Sequence, residues 1–264
     1  TMDLAKQTSQ IPSHVYHTVN WSKYMNQNWN QQQNQNKIEL KIVEKNKDAF
    51  ILNNIFSIKE CKKMIYLSEC HGYVQLLSAS KGGKWRTNTR VIIEDKALSE
   101  LLYERMKIFL PKQYKVNNEI WEIYGLNERF RFCKYEKDQQ FNIHNDGRVI
   151  INDNDNNGKP KLASFYTVNI YLNDGDKDYV GGKTLFFNQT KQAKYKQTSF
   201  VIGKPGLALI FNHYPQKYKH SGERLHSGLK YITRTDVIYK LKQKESNYSN
   251  FDSRRQRKHK VSRW

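Results

Sequence analysis

The segment HSGERLHSGLKY, at residues 220–231, decides how this chain folds. It holds two histidines, His220 and His226, and two cations follow them, Lys230 and Arg234. An imidazole can bind a metal ion, and a cation on the next strand can hold an organic carboxylate beside that ion. Two pairings fit, because Lys230 lies ten residues after His220 and Arg234 lies eight residues after His226.

A second motif, His144-Asn145-Asp146, supplies the other half of a metal site. Side chains two residues apart point the same way in an extended chain, so His144 and Asp146 can reach one ion together. Fe(II) that activates dioxygen takes two imidazoles and one carboxylate on one face and keeps its other positions open. The sequence therefore predicts an Fe(II) site made by His144, Asp146 and one histidine from the later segment.

These motifs resemble the prolyl 4-hydroxylase-like branch of the 2-oxoglutarate- and Fe(II)-dependent oxygenases. The family signature runs histidine, one residue, glycine, two residues, an aliphatic residue, two residues, glycine, one residue and lysine, as residues 220–230 do. The resemblance makes His220 the third iron ligand and Lys230 the anchor of the cosubstrate carboxylate. It leaves His226 in the turn or beside the ligands.

Further stretches match the family in order and at the proper spacing, over about residues 47–241. The resemblance places Tyr135, nine residues before His144, against 2-oxoglutarate, and it places Tyr171 there as well. The loop 136–140 departs from the family because it lacks the usual glycine. The matching stretches are 131–135, 167–173, 181–186, 204–211 and 234–237.

The resemblance implies an enzyme that uses Fe(II), 2-oxoglutarate and O2, with ascorbate as the supporting reductant. Its implied substrate is a prolyl residue in a protein. Asp146 argues against the halogenase branch of the superfamily, which lacks the carboxylate ligand. Arg234, two residues before Asp236, is interpreted as half of a structural ion pair rather than as a cosubstrate ligand.

The order of the predicted elements indicates an α+β fold. Ser57 and Glu60 form a capping box that opens a helix to about Cys70, and Asp95 caps a second helix over 96–109. Strand patterns follow without βα alternation, which favours a sandwich or jelly roll backed by the helices. The expected fold is a double-stranded β-helix core with supporting N-terminal helices.

Charge is the strongest compositional feature. The 45 lysines and arginines against 25 acidic residues give a formal net charge of +20. Such a surplus attracts polyanions, so contact with RNA or anionic lipid through the basic C-terminal tail is one expectation, and compositional bias is the other. No apolar run reaches the length of a membrane span. The three cysteines, an odd number without metal-binding spacing, favour a reducing, intracellular compartment.

The chain is expected to divide into three parts. Residues 1–37 form a polar, Asn- and Gln-rich extension, residues 38–241 the oxygenase domain, and residues 242–264 a basic tail. Polar ends of this kind fold only against something else, which favours neighbouring subunits in a large assembly. The chain starts at Thr1 and shows no secretory signal. A removed leader or a shortened chain would both explain that start, and a mitochondrial location is the working expectation.

Two other functions compete with protein hydroxylation. An oxygenase acting on nucleic acid would suit the charge, but the two-arginine pattern of nucleic-acid demethylases and a stacking platform are not found in the sequence. An oxygenase fold used as an accessory subunit, in a respiratory complex or a ribosome, would suit the polar ends. That second role can coexist with activity because all three predicted metal ligands are present.

Overall fold

A computed structural model describes residues 16–25, 37–43, 48–75, 85–152, 160–190, 194–214 and 218–242. Most of the predicted N-terminal extension and almost all of the predicted basic tail lie outside these ranges. Within them, no helix has both the length and the apolar character needed to cross a membrane. All three cysteines are described, and each is a free thiol.

The described residues form two α-helices and eighteen β-strands. The helices are α1 (Ile58–His71) and α2 (Lys96–Met106). The strands are β1 (Tyr16–Thr18), β2 (Glu39–Ile42), β3 (Ala49–Asn53), β4 (Val74–Gln75), β5 (Thr89–Glu94), β6 (Gln113–Val116), β7 (Glu119–Leu126), β8 (Arg129–Tyr135), β9 (Phe141–His144), β10 (Ile150–Asn152), β11 (Pro160–Tyr171), β12 (Tyr179–Gly181), β13 (Thr184–Gln189), β14 (Tyr195–Val201), β15 (Ala208–Asn212), β16 (Lys219–Gly222), β17 (Leu225–Gly228) and β18 (Lys230–Leu241).

Eight of these strands make a double-stranded β-helix. The larger sheet contains four of them side by side, in the order β8, β18, β11 and β15. The smaller sheet consists of the other four, in the order β9, β16, β13 and β14. Apart from β13 and β14, which pair with each other in the smaller sheet, successive strands of this set pass from one sheet to the other, so the two sheets face each other as in a jelly roll. This arrangement confirms the expected fold. It sets residues of β9, β16 and β18 around one interior space.

The helices cover the outer face of the larger sheet. Ser57 caps α1 with the predicted capping box, in which its hydroxyl accepts from the amide of Glu60 and the Glu60 carboxylate accepts from the amide of Ser57. Met64 of α1 and Leu102 of α2 are fully buried with Val91 of β5 in the main hydrophobic core. Because this outer face is apolar, the inner face of the same sheet is free to carry polar groups.

The second helix ends earlier than the sequence predicted. It stops at Met106 instead of residue 109, and the amide of Phe109 turns back to the carbonyl of Met106. Pro111 disfavours helical geometry in the residue before it, so the chain leaves the helix before reaching it. In the loop 136–140, Asp138 takes the left-handed conformation at φ 68° in place of the family's glycine.

Part of the predicted N-terminal extension packs on the domain. Strand β1 pairs with β5 in parallel, and Trp21, 3% exposed, lies in the main core beside Phe132. The amide of Trp21 donates to the carboxylate of Asp95, which also caps α2. Residues 16–25 therefore extend the larger sheet and its core rather than standing apart from them.

Candidate metal centre

Three side chains converge at one end of the interior space. Strand pairing sets His220 of β16 directly opposite His144 at the end of β9, and Asp146 follows two residues later. One ligand atom from each residue lies within 4.8 Å of the others. The Nε2 atoms of His144 and His220 lie 3.6 Å from the Oδ1 and Oδ2 atoms of Asp146, respectively. This cluster of two imidazoles and one carboxylate is the donor set that suits Fe(II) with open positions.

Both imidazoles are held with the same nitrogen turned toward the cluster. The Nδ1 atom of His144 lies 2.8 Å from the carbonyl of Asn142, and that of His220 lies 3.2 Å from the carbonyl of Tyr218. An Nδ1–H that donates to a carbonyl leaves Nε2 with a free lone pair for a metal. Burial lowers the pKa of His220 to about 3, which keeps its ring neutral and able to ligate.

Asp146 is kept ionised by its surroundings. Burial alone would raise the pKa of this carboxyl, but Arg234 and His220 hold it well below its usual range. Arg234 Nη1 lies 2.7 Å from Oδ1 of Asp146, and the hydroxyl of Thr167 donates to Oδ2 at 2.7 Å. The carboxylate is thus fixed in position and charged before any ion arrives.

A network of arginine and aspartate residues supports this carboxylate from behind. Arg234 Nη2 also lies 3.1 Å from Oδ1 of Asp236, so the predicted ion pair exists and extends to the metal centre. Arg131 contacts the other oxygen of Asp236 at 3.0 Å. His213, which has no role in the sequence-based prediction, is buried and contacts the Thr167 hydroxyl through Nδ1 at 3.0 Å. No spacing rule in the sequence points to His213, because it follows β15 and reaches Thr167 only through the fold.

Lys230 lies on the same inner surface, at the start of β18. It is 2% exposed, its Nζ donates to the carbonyl of Gly182 at 2.5 Å, and among the described residues it has no acidic partner. The ammonium lies 5.2 Å from the ring centre of Tyr135 and 5.6 Å from that of Tyr171. Burial lowers the pKa of Lys230 to about 8. A buried cation of this kind is ready for an anion that the protein does not supply.

Gly182 makes room for this cation. It has a φ of 65°, and a Cβ there would lie 2.8 Å from Leu225 and 3.2 Å from the Lys230 side chain. The Tyr171 hydroxyl is held 2.6 Å from the hydroxyl of Thr184. Glycine at this position therefore lets a backbone carbonyl meet the ammonium.

His226 lies outside the candidate metal centre. It is an exposed residue on β17, which pairs with β12 in a separate two-stranded ladder. The cavity joins His144, Asp146 and His220 to Lys230 and Tyr135, while Tyr171 lies beneath Lys230. The sequence missed several residues that line the same cavity, which are Arg86, Arg131, Cys133, Phe141, Asn169 and Thr184.

Comparison with known proteins gives similarity in fold at low identity. No family model matches the chain, and no curated protein matches it. A viral collagen prolyl hydroxylase from Paramecium Bursaria Chlorella virus-1, in a 2-oxoglutarate complex, is 16% identical with a TM-score of 0.47, covering 73% of this chain and 96% of that one.

Two further solved structures are similar. A Trichoplax adhaerens prolyl hydroxylase, in complex with a hypoxia inducible factor peptide fragment, is 16% identical with a TM-score of 0.48, covering 78% of this chain and 86% of that one. A Pseudomonas putida prolyl-4-hydroxylase is 11% identical with a TM-score of 0.44, covering 72% and 92%. At such identities a function has to rest on the side chains of this chain.

Proposed function

We propose that this protein is an Fe(II)- and 2-oxoglutarate-dependent dioxygenase that hydroxylates a prolyl residue of a protein substrate. The observation that carries the proposal is the pairing of two sites in one cavity. Three candidate ligand atoms lie within 4.8 Å of one another, and the same cavity is lined by Lys230, which is buried and has no acidic partner in the part of the chain that the structure describes. The prolyl residue comes from the sequence resemblance, which makes it the substrate to test first.

Each residue has a defined task in this proposal. His144, Asp146 and His220 would hold the iron, which together with 2-oxoglutarate and O2 would supply the oxidising power to convert a substrate C–H to C–OH, with succinate and CO2 as the other products. Lys230 binds the far carboxylate of 2-oxoglutarate, and the rings of Tyr135 and Tyr171 flank it. Ascorbate would keep the iron reduced between turnovers.

The protein contributes orientation and exclusion of water. Thr167 and Arg234 fix the Asp146 carboxylate, and a carboxylate has enough lone pairs to keep these contacts while one oxygen ligates. The two histidine rings are held by backbone carbonyls, so the ligand set is preorganised. Phe141, stacked on His144 at 3.6 Å between ring centres, and Phe211, 4.7 Å from the His220 ring, shield the imidazoles.

The test is anaerobic binding of Fe(II) and 2-oxoglutarate, followed through the weak visible charge-transfer band of the chelate. We expect the band in the wild type and in His226→Ala, because His226 is exposed and outside the cavity. We expect its loss in His220→Ala, because His220 supplies one of the three ligand atoms. A wild type without the band would contradict the proposal and would favour the accessory-subunit alternative. Formation of succinate and a 16 Da gain on a proline-containing peptide would then test turnover.

A further inference from the structure

The inner face of the larger sheet carries more positive charge than its own acidic groups balance. Arg131 and Arg234 are neutralised by Asp236 and Asp146 at contact distances between 2.7 and 3.1 Å. Lys230 remains for the cosubstrate carboxylate under the proposed function. Two further arginines on this face, Arg86 and Arg90, have no acidic partner among the described residues.

Strand register places Arg90 on the same face as the cavity. Arg90 of β5 is directly opposite Cys133 of β8, and Cys133 is in turn opposite Ile232 of β18. Directly opposed residues on neighbouring antiparallel strands point to the same side of a sheet. Since Cys133 and Ile232 line the cavity, Arg90 lies on the same face of the sheet as the cavity, one strand beyond Cys133.

Arg86 lies one ring away from the metal ligands. Its guanidinium carbon is 4.3 Å from the ring centre of Phe141, and Phe141 stacks on His144 at 3.6 Å. Its Nε donates to Asn88 at 2.6 Å and its Nη2 lies 3.3 Å from the sulfur of Cys133. These neutral partners hold the side chain against the cavity wall, and no acidic group of the described residues pairs with its charge.

The side chain of Arg90 is incompletely hydrogen-bonded within the described residues. Its Nε is buried and has no hydrogen-bond partner among the described residues. Burial, together with the nearby charges of Arg86 and Arg131, lowers the pKa of Arg90 to about 9. Two nearby arginines without acidic partners destabilise the folded protein, and an anion bound between them would remove that destabilisation.

Resting on the proposed function, we propose that the substrate carries an acidic side chain beside the hydroxylated residue, and that Arg86 and Arg90 bind its carboxylate. In the proposed function, Asp146 is a ligand of the iron and Lys230 binds the far carboxylate of 2-oxoglutarate. The charge of Arg86 and Arg90 is thus available for the substrate. A carboxylate suits two guanidiniums because each can donate in a planar, two-point fashion.

The first experiment compares three peptides on the wild-type chain loaded with Mn(II) and 2-oxoglutarate. Each peptide has a central proline, and its neighbouring residues are glutamate, glutamine or lysine. Binding is measured by fluorescence anisotropy of a labelled peptide, and turnover by the mass gain with Fe(II). We expect the glutamate peptide to bind about tenfold tighter or more than the glutamine peptide, the gain of a charge-assisted hydrogen bond, and the lysine peptide to bind weakest.

The second experiment assigns the preference to residues. Arg86→Gln and Arg90→Gln should each bring the glutamate and glutamine peptides close to equal affinity. Arg224→Gln is the matched control, because Arg224 is an exposed arginine paired with Asp138 on the surface. Thermal unfolding of each variant verifies that it is folded. The comparison of the three peptides on the wild type does not depend on any variant.

The outcomes separate the two proposals. Equal affinity for the glutamate and glutamine peptides on wild type, or a preference that survives both arginine variants, overturns the acidic-substrate inference. A short single-stranded RNA that displaces the glutamate peptide from wild type and not from Arg90→Gln overturns it as well, since the anion would then be a phosphate. The visible band of the iron chelate forms without any peptide. If the band is present and the glutamate peptide is not preferred, only the acidic-substrate inference is contradicted. If the band is absent, the proposed function is contradicted as well.

Discussion

At the scale of single residues, Lys230 connects the stability of the protein to the cosubstrate proposed for it. Lys230 is 2% exposed, and within the described ranges its ammonium has only the carbonyl of Gly182 as hydrogen-bond acceptor, so its burial is unfavourable. We expect Lys230→Met to bind no 2-oxoglutarate and yet to be more stable than the ligand-free wild type, by about 1–3 kcal/mol. Chemical denaturation, with 2-oxoglutarate titrated in parallel, measures both effects.

The pH dependence of that stability provides a second measure. Burial lowers the pKa of Lys230 from 10.5 to about 8, so between these values the unfolded chain binds more protons than the folded one. Wild-type stability from this residue therefore rises as the pH goes from about 8 to 10.5, and Lys230→Met should lack the rise. Lys240→Met, on the exposed side of the same strand, is the control and should keep it. A Lys230→Met profile that overlays the wild type would show that the ammonium is hydrated.

Residue spacing predicted the three candidate metal ligands better than it predicted the residues around them. The ligand triplet could be selected because a His-x-Asp pair and a later histidine obey simple strand geometry, and the structure brings His144, Asp146 and His220 together. Choosing His220 over His226 needed the family resemblance, because both fit the spacing. Arg90 could not be found this way, since its place depends on the register of β5 against β8.

At the scale of secondary-structure elements, a buried ion pair joins the two helices. Glu60 in the first turn of α1 receives Arg105 of α2 at 2.7 Å, with 4% and 2% of the two side chains exposed. The same carboxylate completes the capping box with Ser57. A charged contact inside an apolar layer thus joins α1 to α2.

Removing one partner of this pair should be far costlier than removing both. We expect Glu60→Ala to lower the free energy of unfolding by about 3–5 kcal/mol, because Arg105 keeps a buried charge. Glu60→Leu combined with Arg105→Met should recover a large part of that loss. Glu100→Ala, an exposed glutamate of α2 near Lys96, should change stability by less than about 0.5 kcal/mol. Urea denaturation of the four proteins makes the comparison, and a double variant as unstable as Glu60→Ala would contradict it.

The elements that the sequence predicted well are those with local signals. The capping box predicts the start of α1, and strand patterns in the sequence coincide with β8, β11, β13, β15 and β18. Strand β5 lies between the two predicted helices and is not among the predicted elements. Its apolar Val91 and Ile93 become informative only when β8 pairs beside them and the helices cover them.

At the scale of the whole molecule, the candidate site spans the two sheets of the β-helix. The histidine ligands belong to β9 and β16 of the smaller sheet, and Lys230 belongs to β18 of the larger one. A metal ion with 2-oxoglutarate would therefore add a connection between sheets that already meet through apolar contacts and through the hydrogen bond between Tyr171 and Thr184. Ligands that bind only the folded state stabilise it by an amount set by their concentration relative to Kd.

This geometry predicts that metal and cosubstrate stabilise the fold together. With Mn(II) and 2-oxoglutarate each at about one hundred times its Kd, the wild type should gain about 2.7 kcal/mol from each ligand, roughly twice that from the pair, seen as a higher melting temperature. Asp146→Ala should gain nothing from the pair because the carboxylate ligand is gone, whereas His226→Ala should gain as much as the wild type. Lys230→Met should respond to the metal alone and show no added effect of 2-oxoglutarate, since the iron ligands remain while the carboxylate anchor is missing. A full response to 2-oxoglutarate in Lys230→Met would mean that another cation of the cavity, Arg86 or Arg90, holds the cosubstrate, and the assignment of charges across the inner face would have to be reversed.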